Sequence, residues 1–416
     1  MARNRVIYQS EALFAGQLTG TTLTHTDNPT DIKQLHRIQS ANYSFSVART
    51  DVNQFGELAS IDRVVLDTPT VSLDFSYLLA NFSNEDSLGF YVNPKTNATN
   101  NLVSALSGVL NKTTDERNFF IQTSREGEDA IGDTSRHPAV PGVDMASTIG
   151  IGNGFVTSYN CEASVGGFPT VSVSVEAMNM NFTTGTQGCP NPAINRIDGT
   201  AASTLCSLPT VSGDGDGLTE DAGTLGISTL RPGDITIQIA EHSADGTFGS
   251  SDYDLGGAKL PAADGDATNS ANIQSFNLGF DLSRSAIQRL GNRFAFAREV
   301  DFPVNVNLSF DAILTELTTG NLNDFIDCEK SYDVQIRLKG ITGTACDETP
   351  VDIAAYVLKD MKPEAQSYSS SIGDNKTVTL DFATQIGGPN QTDVGLFFKG
   401  AAAGQTEAVL KGAYAG

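Results

Sequence analysis

Along much of the chain, apolar and polar residues alternate one for one. Asn42-Tyr43-Ser44-Phe45-Ser46-Val47 sets its apolar residues on one side and its polar residues on the other. Val71-Ser72-Leu73-Asp74-Phe75-Ser76 and Val171-Ser172-Val173-Ser174-Val175 do the same. A period of two is that of a half-buried strand. Antiparallel sheets with one wet face read this way, whereas parallel strands between helices read as continuous apolar runs. Helical spacing is confined to two short stretches. Residues 101–110 put Leu102, Ala105, Leu106 and Val109 on one face, and residues 321–328 offer Leu322, Phe325 and Ile326. A strand is predicted after each, over 118–123 and 332–338.

The pattern also repeats. Ile38-Gln39-Ser40 recurs as Ile273-Gln274-Ser275, and the match runs on without a gap from 38–79 onto 273–314. Asn42 falls on Asn277, Phe45 on Phe280, Arg49 on Arg284, Gly56 on Gly291 and Arg63 on Arg298. A second block aligns Ser158-Tyr159 with Ser367-Tyr368, and Val171, Val173 and Val175 with Val378, Leu380 and Phe382. A gapless register kept this long is a tandem duplication, and repeats outrank local motifs as a guide to architecture. The predicted fold class is therefore mainly β: two tandem antiparallel β-sandwich or barrel units, each with one flanking short helix. Residues 183–224 are Gly-, Ser-, Thr-, Pro- and Asp-rich without periodicity and read as a connection. The expected division is a first unit over 1–182, the connection over 183–224 and a second unit over 225–416. Two further Gly-rich acidic loops, 125–148 and 241–272, are long for a compact domain and are expected to contact other chains.

Composition narrows the possible partners. The 416 residues carry 26 Lys and Arg against 49 Asp and Glu, a formal charge of −23. A surface of that sign repels DNA and anionic lipid, so a partner held by phosphate contacts is not expected. No apolar run approaches the ~18 residues a membrane span needs, and the opening Met1–Gln9 lacks the apolar core of a signal peptide. The five cysteines, Cys161, Cys189, Cys206, Cys328 and Cys346, are widely spaced without CxxC, which predicts free thiols rather than a disulfide framework or a zinc site.

Candidate chemistry is sparse. His25, His36, His137 and His242 stand outside any metal or triad spacing and are expected to be solvated loop imidazoles. Gly150-Ile151-Gly152-Asn153-Gly154 leads into a strand rather than a helix N-terminus, so it reads as a turn and not a phosphate cradle. Asp214, Asp216, Glu220 and Asp221 lack the full ligand set of a calcium loop. Glu126 and Glu128 show no cleft in which to act as an acid–base pair. No catalytic residue, cofactor or metal is expected, and the protein is not expected to be an enzyme. The notable positions are structural. Arg49, Arg63, Arg284 and Arg298 stand at matched places in both copies, where an ion pair within or between units is expected. Gly56 and Gly291 stand where a turn calls for positive φ.

Several strings resemble the major tail tube proteins of long-tailed bacteriophages. They are Arg5-Val6-Ile7-Tyr8-Gln9-Ser10-Glu11-Ala12-Leu13, Ile38-Gln39-Ser40-Ala41-Asn42-Tyr43-Ser44-Phe45 and Asp51-Val52-Asn53-Gln54-Phe55-Gly56. Arg289-Leu290-Gly291-Asn292-Arg293-Phe294-Ala295-Phe296-Ala297-Arg298-Glu299 and Ser369-Ser370-Ser371-Ile372-Gly373-Asp374-Asn375-Lys376-Thr377-Val378 belong to the same resemblance. It implies a virion protein, made in the host cytoplasm, whose hairpins join those of neighbours into a β-barrel around a channel. Rings would stack into a tail tube that passes double-stranded DNA and meets tape measure, terminator and tail tip proteins. Residues 52–67 and 287–302 are the candidate hairpin arms. Two units per chain imply a trimeric ring with pseudo-six-fold symmetry; the alternative is a hexamer with the second unit as outer decoration. Rival readings are a virion surface-decoration or adhesion β-sandwich, or a carbohydrate-active enzyme.

Overall fold

The computed structural model describes residues 11–17, 30–92, 104–110, 115–123, 130, 147–183, 189–195, 199–202, 205–206, 208, 230–242, 259–261, 272–313, 330–342, 349–370, 375–386 and 394–400. The first half contributes β1 (Glu11–Gln17), β2 (Thr30–Gln34), β3 (Ile38–Ser46), β4 (Arg49–Val52), β5 (Asp62–Val65), β6 (Thr70–Leu78), α1 (Ser83–Leu88), β7 (Arg117–Thr123), β8 (Ser147–Ser164), β9 (Thr170–Ala177) and β10 (Asn179–Thr183). A small pair, β11 (Cys189–Pro190) and β12 (Leu205–Cys206), follows. The second half contributes β13 (Ile235–Glu241), β14 (Lys259–Pro261), β15 (Asn272–Asp281), β16 (Arg284–Ile287), β17 (Ala297–Val300), β18 (Val304–Ile313), β19 (Tyr332–Thr342), β20 (Thr349–Ser369), β21 (Thr377–Ile386) and β22 (Gly395–Gly400). The chain is mainly β and its strand pairs are antiparallel, as the alternating pattern predicts.

The two halves share one pairing scheme. In the first, β2 pairs β1, β1 pairs β7, β7 pairs β8, and β8 takes both β10 and β9, with β9 next to β6 and β6 next to β3. The second repeats this with β14, β13, β19, β20, β22, β21, β18 and β15. Irregularities recur as well: the bulge at Ile38/Ser40 returns at Ile273/Ser275, and that at Val156/Ser158 returns at Pro363/Ala365. Bulges are specific features of a ladder rather than noise. The register also corrects the second repeat block. Cys161 faces Val171 as Tyr368 faces Val378, so Tyr159 corresponds to Gln366 and not to Tyr368.

The long strands β8 and β20 each serve two sheets. Their first parts join the outer sheets, β2-β1-β7-β8-β10 and β14-β13-β19-β20-β22; their last parts turn into a shared central sheet. That sheet runs β3-β6-β9-β8-β15-β18-β21-β20, because β15 of the second half pairs β8 of the first. One core lies between the layers and spans both halves. At the joint Tyr159 stacks on Phe280 at 5.3 Å and 10°, and Phe398 stacks on Phe82 at 4.9 Å. Such aromatic pairs add about 1 kcal/mol each beyond the area they bury.

Three expectations are corrected. In 101–110, the described residues hold only one 3-10 turn, Ala105–Ser107, while the α-helix is Ser83–Leu88. That helix buries polar side chains, Ser83, Asn84, Glu85 and Ser87, which hydrophobic periodicity cannot register. Asn84 satisfies both backbone groups of His36, accepting its N–H at 2.8 Å and donating to its carbonyl at 2.9 Å. The stretch 321–328 lies outside the described residues. Second, Gly150 to Gly154 form no turn but part of β8, where Pro192 lies so close that a Cβ on Gly152 would strike its backbone and one on Gly150 would press on its ring. Third, His36 is buried, and His242 Nδ1 lies 2.8 Å from Asp333 Oδ1, so neither is a solvated loop ring. His25 and His137 lie outside the described residues. Within 183–224, β11 and β12 pair Cys189 with Cys206, and Asn153 accepts the Ile194 N–H at 2.8 Å, anchoring that segment on the first half.

Candidate functional site

The feature that sets this fold apart is the pair of ends left by its central sheet. At one end, β3 is bonded only to β6 among the described residues. At the other, the last part of β20 is bonded, among the described residues, only to β21, since its ladders with β19 and β22 stop at Met361 and Lys359. An open edge presents a row of unsatisfied N–H and C=O groups and invites another strand. These two edges are the counterparts of β15 and the last part of β8, which pair with each other inside the chain.

Side chains report the same contrast. Phe280 in β15 is 3% exposed, and its counterpart Phe45 in β3 is 46% exposed. In β8 Cys161 is 0% exposed; its counterpart Tyr368 in β20 is 50% exposed. Each edge thus carries an apolar position whose equivalent is covered at the internal joint. Exposed aromatic residues beside an open ladder mark an interaction surface more convincingly than scattered ones.

The central sheet has one apolar and one polar face. Val71, Leu73 and Phe75, Val171 and Val173, Leu278 and Phe280, Val306 and Leu308, and Val378 and Leu380 face the core. The opposite face carries Ser, Thr and Asn with Asp74, Glu162, Glu176, Asp281, Asp311 and Asp381, and among the described residues Lys362, at the start of the β20–β21 ladder, is a cation beside them. Hydroxyls tie neighbouring strands across it. Ser275 and Thr379 donate to Asp311 at 2.8 and 2.6 Å, Ser309 donates to Asp381 at 2.6 Å, and Ser44 and Ser72 are 2.8 Å apart.

Beside the edges project two hairpins of identical register, β4–β5 and β16–β17. Their turns hold Gly56 at φ 98° and Gly291 at φ 89°, a region open to glycine and strained for other residues. The second hairpin docks on the first half. Arg284 donates to Asp115 at 3.2 Å and to the Val109 carbonyl at 2.7 Å, and its guanidinium lies 4.6 Å over the Phe155 ring. Arg298 pairs with Glu176, and Ala295 packs with Phe155 and Met178. Burial disfavours the charge on Arg284, and the Asp115 carboxylate works against that effect. The first hairpin is different. Arg63 pairs with Asp51 of its own hairpin at 2.5 Å in an exposed position, and Arg49 is exposed. The matched arginines are therefore brought into an inter-half clamp in the second copy only.

One buried group escaped the reading of residue types. Glu85 of α1 is 0% exposed; Tyr77 and Tyr159 donate to its Oε1 at 2.8 and 3.0 Å, and the Tyr159 and Tyr356 hydroxyls are 2.8 Å apart. Burial pushes the Glu85 carboxyl up to about 7, against the two hydrogen bonds. The Cys161 thiol nearby is pushed up to about 12 by the same burial, which makes it inert rather than nucleophilic. Cys161, Cys189 and Cys206 are free and buried; Cys328 and Cys346, like Asp214, Asp216, Glu220, Asp221, Glu126 and Glu128, lie outside the described residues. Among the described residues no group of three or more His, Cys, Asp or Glu is placed to hold a metal ion, and no helix is long and apolar enough to cross a membrane.

No family model matches the chain, and no curated protein matches it. Among solved structures, a chain from the cryo-electron-microscopy structure of the anti-feeding prophage (AFP) baseplate, 6-fold symmetrised, is similar to this one. The match covers 37% of this chain and 92% of that chain, at 12% identity and a TM-score of 0.24. A superposition that loose assigns nothing to individual residues here.

Proposed function

We propose that this protein is a structural component of a bacteriophage virion, a tail tube protein that assembles with copies of itself into stacked rings around a channel for the genome. The observation that carries the reading is the head-to-tail complementarity of the central sheet: its two open edges are the counterparts of two strands that already pair inside the chain. Adding a copy at each edge continues the sheet, and closure into a ring leaves neither of these two edges open.

Both halves lie in one continuous sheet, which favours a trimer with pseudo-six-fold symmetry over a hexamer with the second unit as decoration. Three copies of an eight-stranded sheet, with strands about 4.8 Å apart and tilted about 40°, close to a backbone diameter of roughly 48 Å. That is wide enough for duplex DNA inside the side chains. With the core and outer sheets outward, the polar face of the central sheet lines the channel. A wall on which carboxylates and hydroxyls outnumber cations offers phosphates few anchors, so the molecule can slide. The role is structural rather than enzymatic, and the partners in the particle are tape measure, terminator and tail tip proteins.

Electron microscopy of the purified protein at rising concentration tests this. Rings or tubes with three copies per ring are expected, and a solution that stays monomeric at every concentration overturns the reading. A second prediction concerns the channel wall. Replacing Asp74, Asp281 and Asp381 by Lys should slow genome ejection in single-particle assays while tubes still form; ejection at the parental rate would remove the wall's charge from the mechanism.

A further inference from the structure

The joint inside the chain is a template for the joint between copies, and the places where the two differ are informative. At the internal joint Asn277 faces Glu162, Leu278 faces Cys161, Gly279 faces Asn160, Phe280 faces Tyr159 and Asp281 faces Ser158. Carrying each residue to its counterpart in the other half sets Asn42 opposite Ser369, Tyr43 opposite Tyr368, Ser44 opposite Ser367, Phe45 opposite Gln366 and Ser46 opposite Ala365. All ten residues lie on the two open edges. In this register Tyr43, Phe45 and Tyr368 turn to the core side together, and the serines turn to the polar face.

The clamp that seals the internal joint is not repeated. Arg284 is held by Asp115 and Phe155, and Arg298 by Glu176. Their counterparts in the second half are Lys330, Lys362 and Ala383. Docked as its sister is docked, the first hairpin would bring Arg49 against two cations and Arg63 against a methyl group. Lys362 is exposed, as is Lys330. Like charges at such a distance disfavour that pose.

We infer that a second copy of this chain docks β20 onto β3 in the register just given, and that this joint between copies is held by the ladder and its apolar side chains without an arginine clamp. The inference rests on the self-assembly reading above and adds to it the pairing, the register and the chemistry of the contact. It also explains how one chain keeps two similar joints apart. The wall bearing Lys362 and Lys330 disfavours the hairpin that carries Arg284, Arg289, Arg293 and Arg298 against the one carboxylate of Glu299, which biases the second hairpin away from the second half of a neighbour. The first hairpin, with Asp51, Glu57 and Asp62 where its sister has Ala286, Asn292 and Ala297, is not repelled as a whole. Repulsion against the wrong partner is a common source of specificity between related interfaces.

Two measurements test the joint. In the first, the full chain with Ser44→Cys and Ser367→Cys is assembled and oxidised beside the parent chain and beside a Ser44→Cys, Ser369→Cys chain whose register is displaced by two. Covalent dimers and trimers are expected at least tenfold more abundant for the first pair than for either control. Tubes that form normally but cross-link no better than the displaced pair overturn the register while leaving self-assembly intact. Absence of tubes from the parent chain itself would overturn both. In the second, Lys330→Asp with Lys362→Phe builds the missing clamp for Arg49. The concentration needed for assembly should fall about tenfold, and further at low salt; an unchanged or higher concentration means that the first hairpin already occupies that wall and overturns the unclamped joint.

Discussion

The two halves of this molecule fold by one scheme and meet different surroundings. β15 and β3 have the same register, the same bulge and the same alternation, yet one lies inside a joint and the other at a border. The hairpins differ likewise: the Arg298 side chain is 3% exposed and the Arg63 side chain 67% exposed. Local pattern and ladder register thus settle how each unit folds, while a handful of contact residues settles what each unit touches. Asp115, Phe155 and Glu176 hold the second hairpin, and Lys330, Lys362 and Ala383 stand in their places in the second half. Duplication supplied two equal units; divergence at these positions made one joint internal.

The largest expected effect separates Phe280 from Phe45. Phe280→Ala removes a buried ring that stacks on Tyr159 and contacts Phe90, and should cost about 3–5 kcal/mol of stability in urea unfolding of the isolated chain. Phe45→Ala should stay within about 0.5 kcal/mol in the same experiment and show its effect only on assembly. Equal losses from the two substitutions would mean that the β3 edge is already covered within one chain.

Next in size is a pH effect confined to one half. Tyr77 and Tyr159 surround Glu85, whereas their counterparts in the second half are Ala312 and Gln366. The Glu85 carboxyl is raised from 4.5 to about 7 by burial. Its native form therefore binds a proton more tightly than its unfolded form does. The associated stability is fully present below about pH 4.5 and is lost as pH rises through about 7. A shift of that size is worth on the order of 3 kcal/mol. Glu85→Gln should flatten this part of the stability–pH curve in calorimetry. A wild-type curve that superposes on that of the Gln variant between pH 5 and 8 would show that Glu85 does not change its protonation there in the fold.

Much of this was legible in the residues. Alternation marks the strands of the central sheet, and the matched blocks carry the register of the hairpins down to Gly56 and Gly291. The helix was not legible, because Ser83, Asn84, Glu85 and Ser87 are buried by hydrogen bonding rather than by hydrophobicity. The shared Ser-Tyr pair of the second block lies two residues away from the true register, because the ladder matches Cys161 with Tyr368, two side chains with no likeness in sequence. Nor could alternation separate β3 from β15. A period of two records which face of a strand turns inward and says nothing about whether its edge is occupied. The clamp depended on partners in distant segments, Asp115 and Glu176, that no spacing rule connects to Arg284 and Arg298.

The smallest effect asks whether the exposed hairpin is energetically separate from the body. Gly56 and Gly291 share positive φ, and an added Cβ at either would meet nothing within 4 Å. Alanine at either site therefore costs only the backbone term, about 1 kcal/mol. What differs is where that cost is felt. Opening the second hairpin breaks the contacts of Arg284 and Arg298 with the first half, so Gly291→Ala should lower global stability by about 1 kcal/mol. The first hairpin can open alone. Gly56→Ala should leave global unfolding unchanged and speed hydrogen exchange about fivefold at the Ile61 amide, which donates to the Val52 carbonyl as Phe296 donates to Ile287 in the other copy. If Gly56→Ala destabilised the whole chain as much as Gly291→Ala, the first hairpin would be tied to the body as firmly as the second. The contrast between the halves would then lie in the strand edges alone.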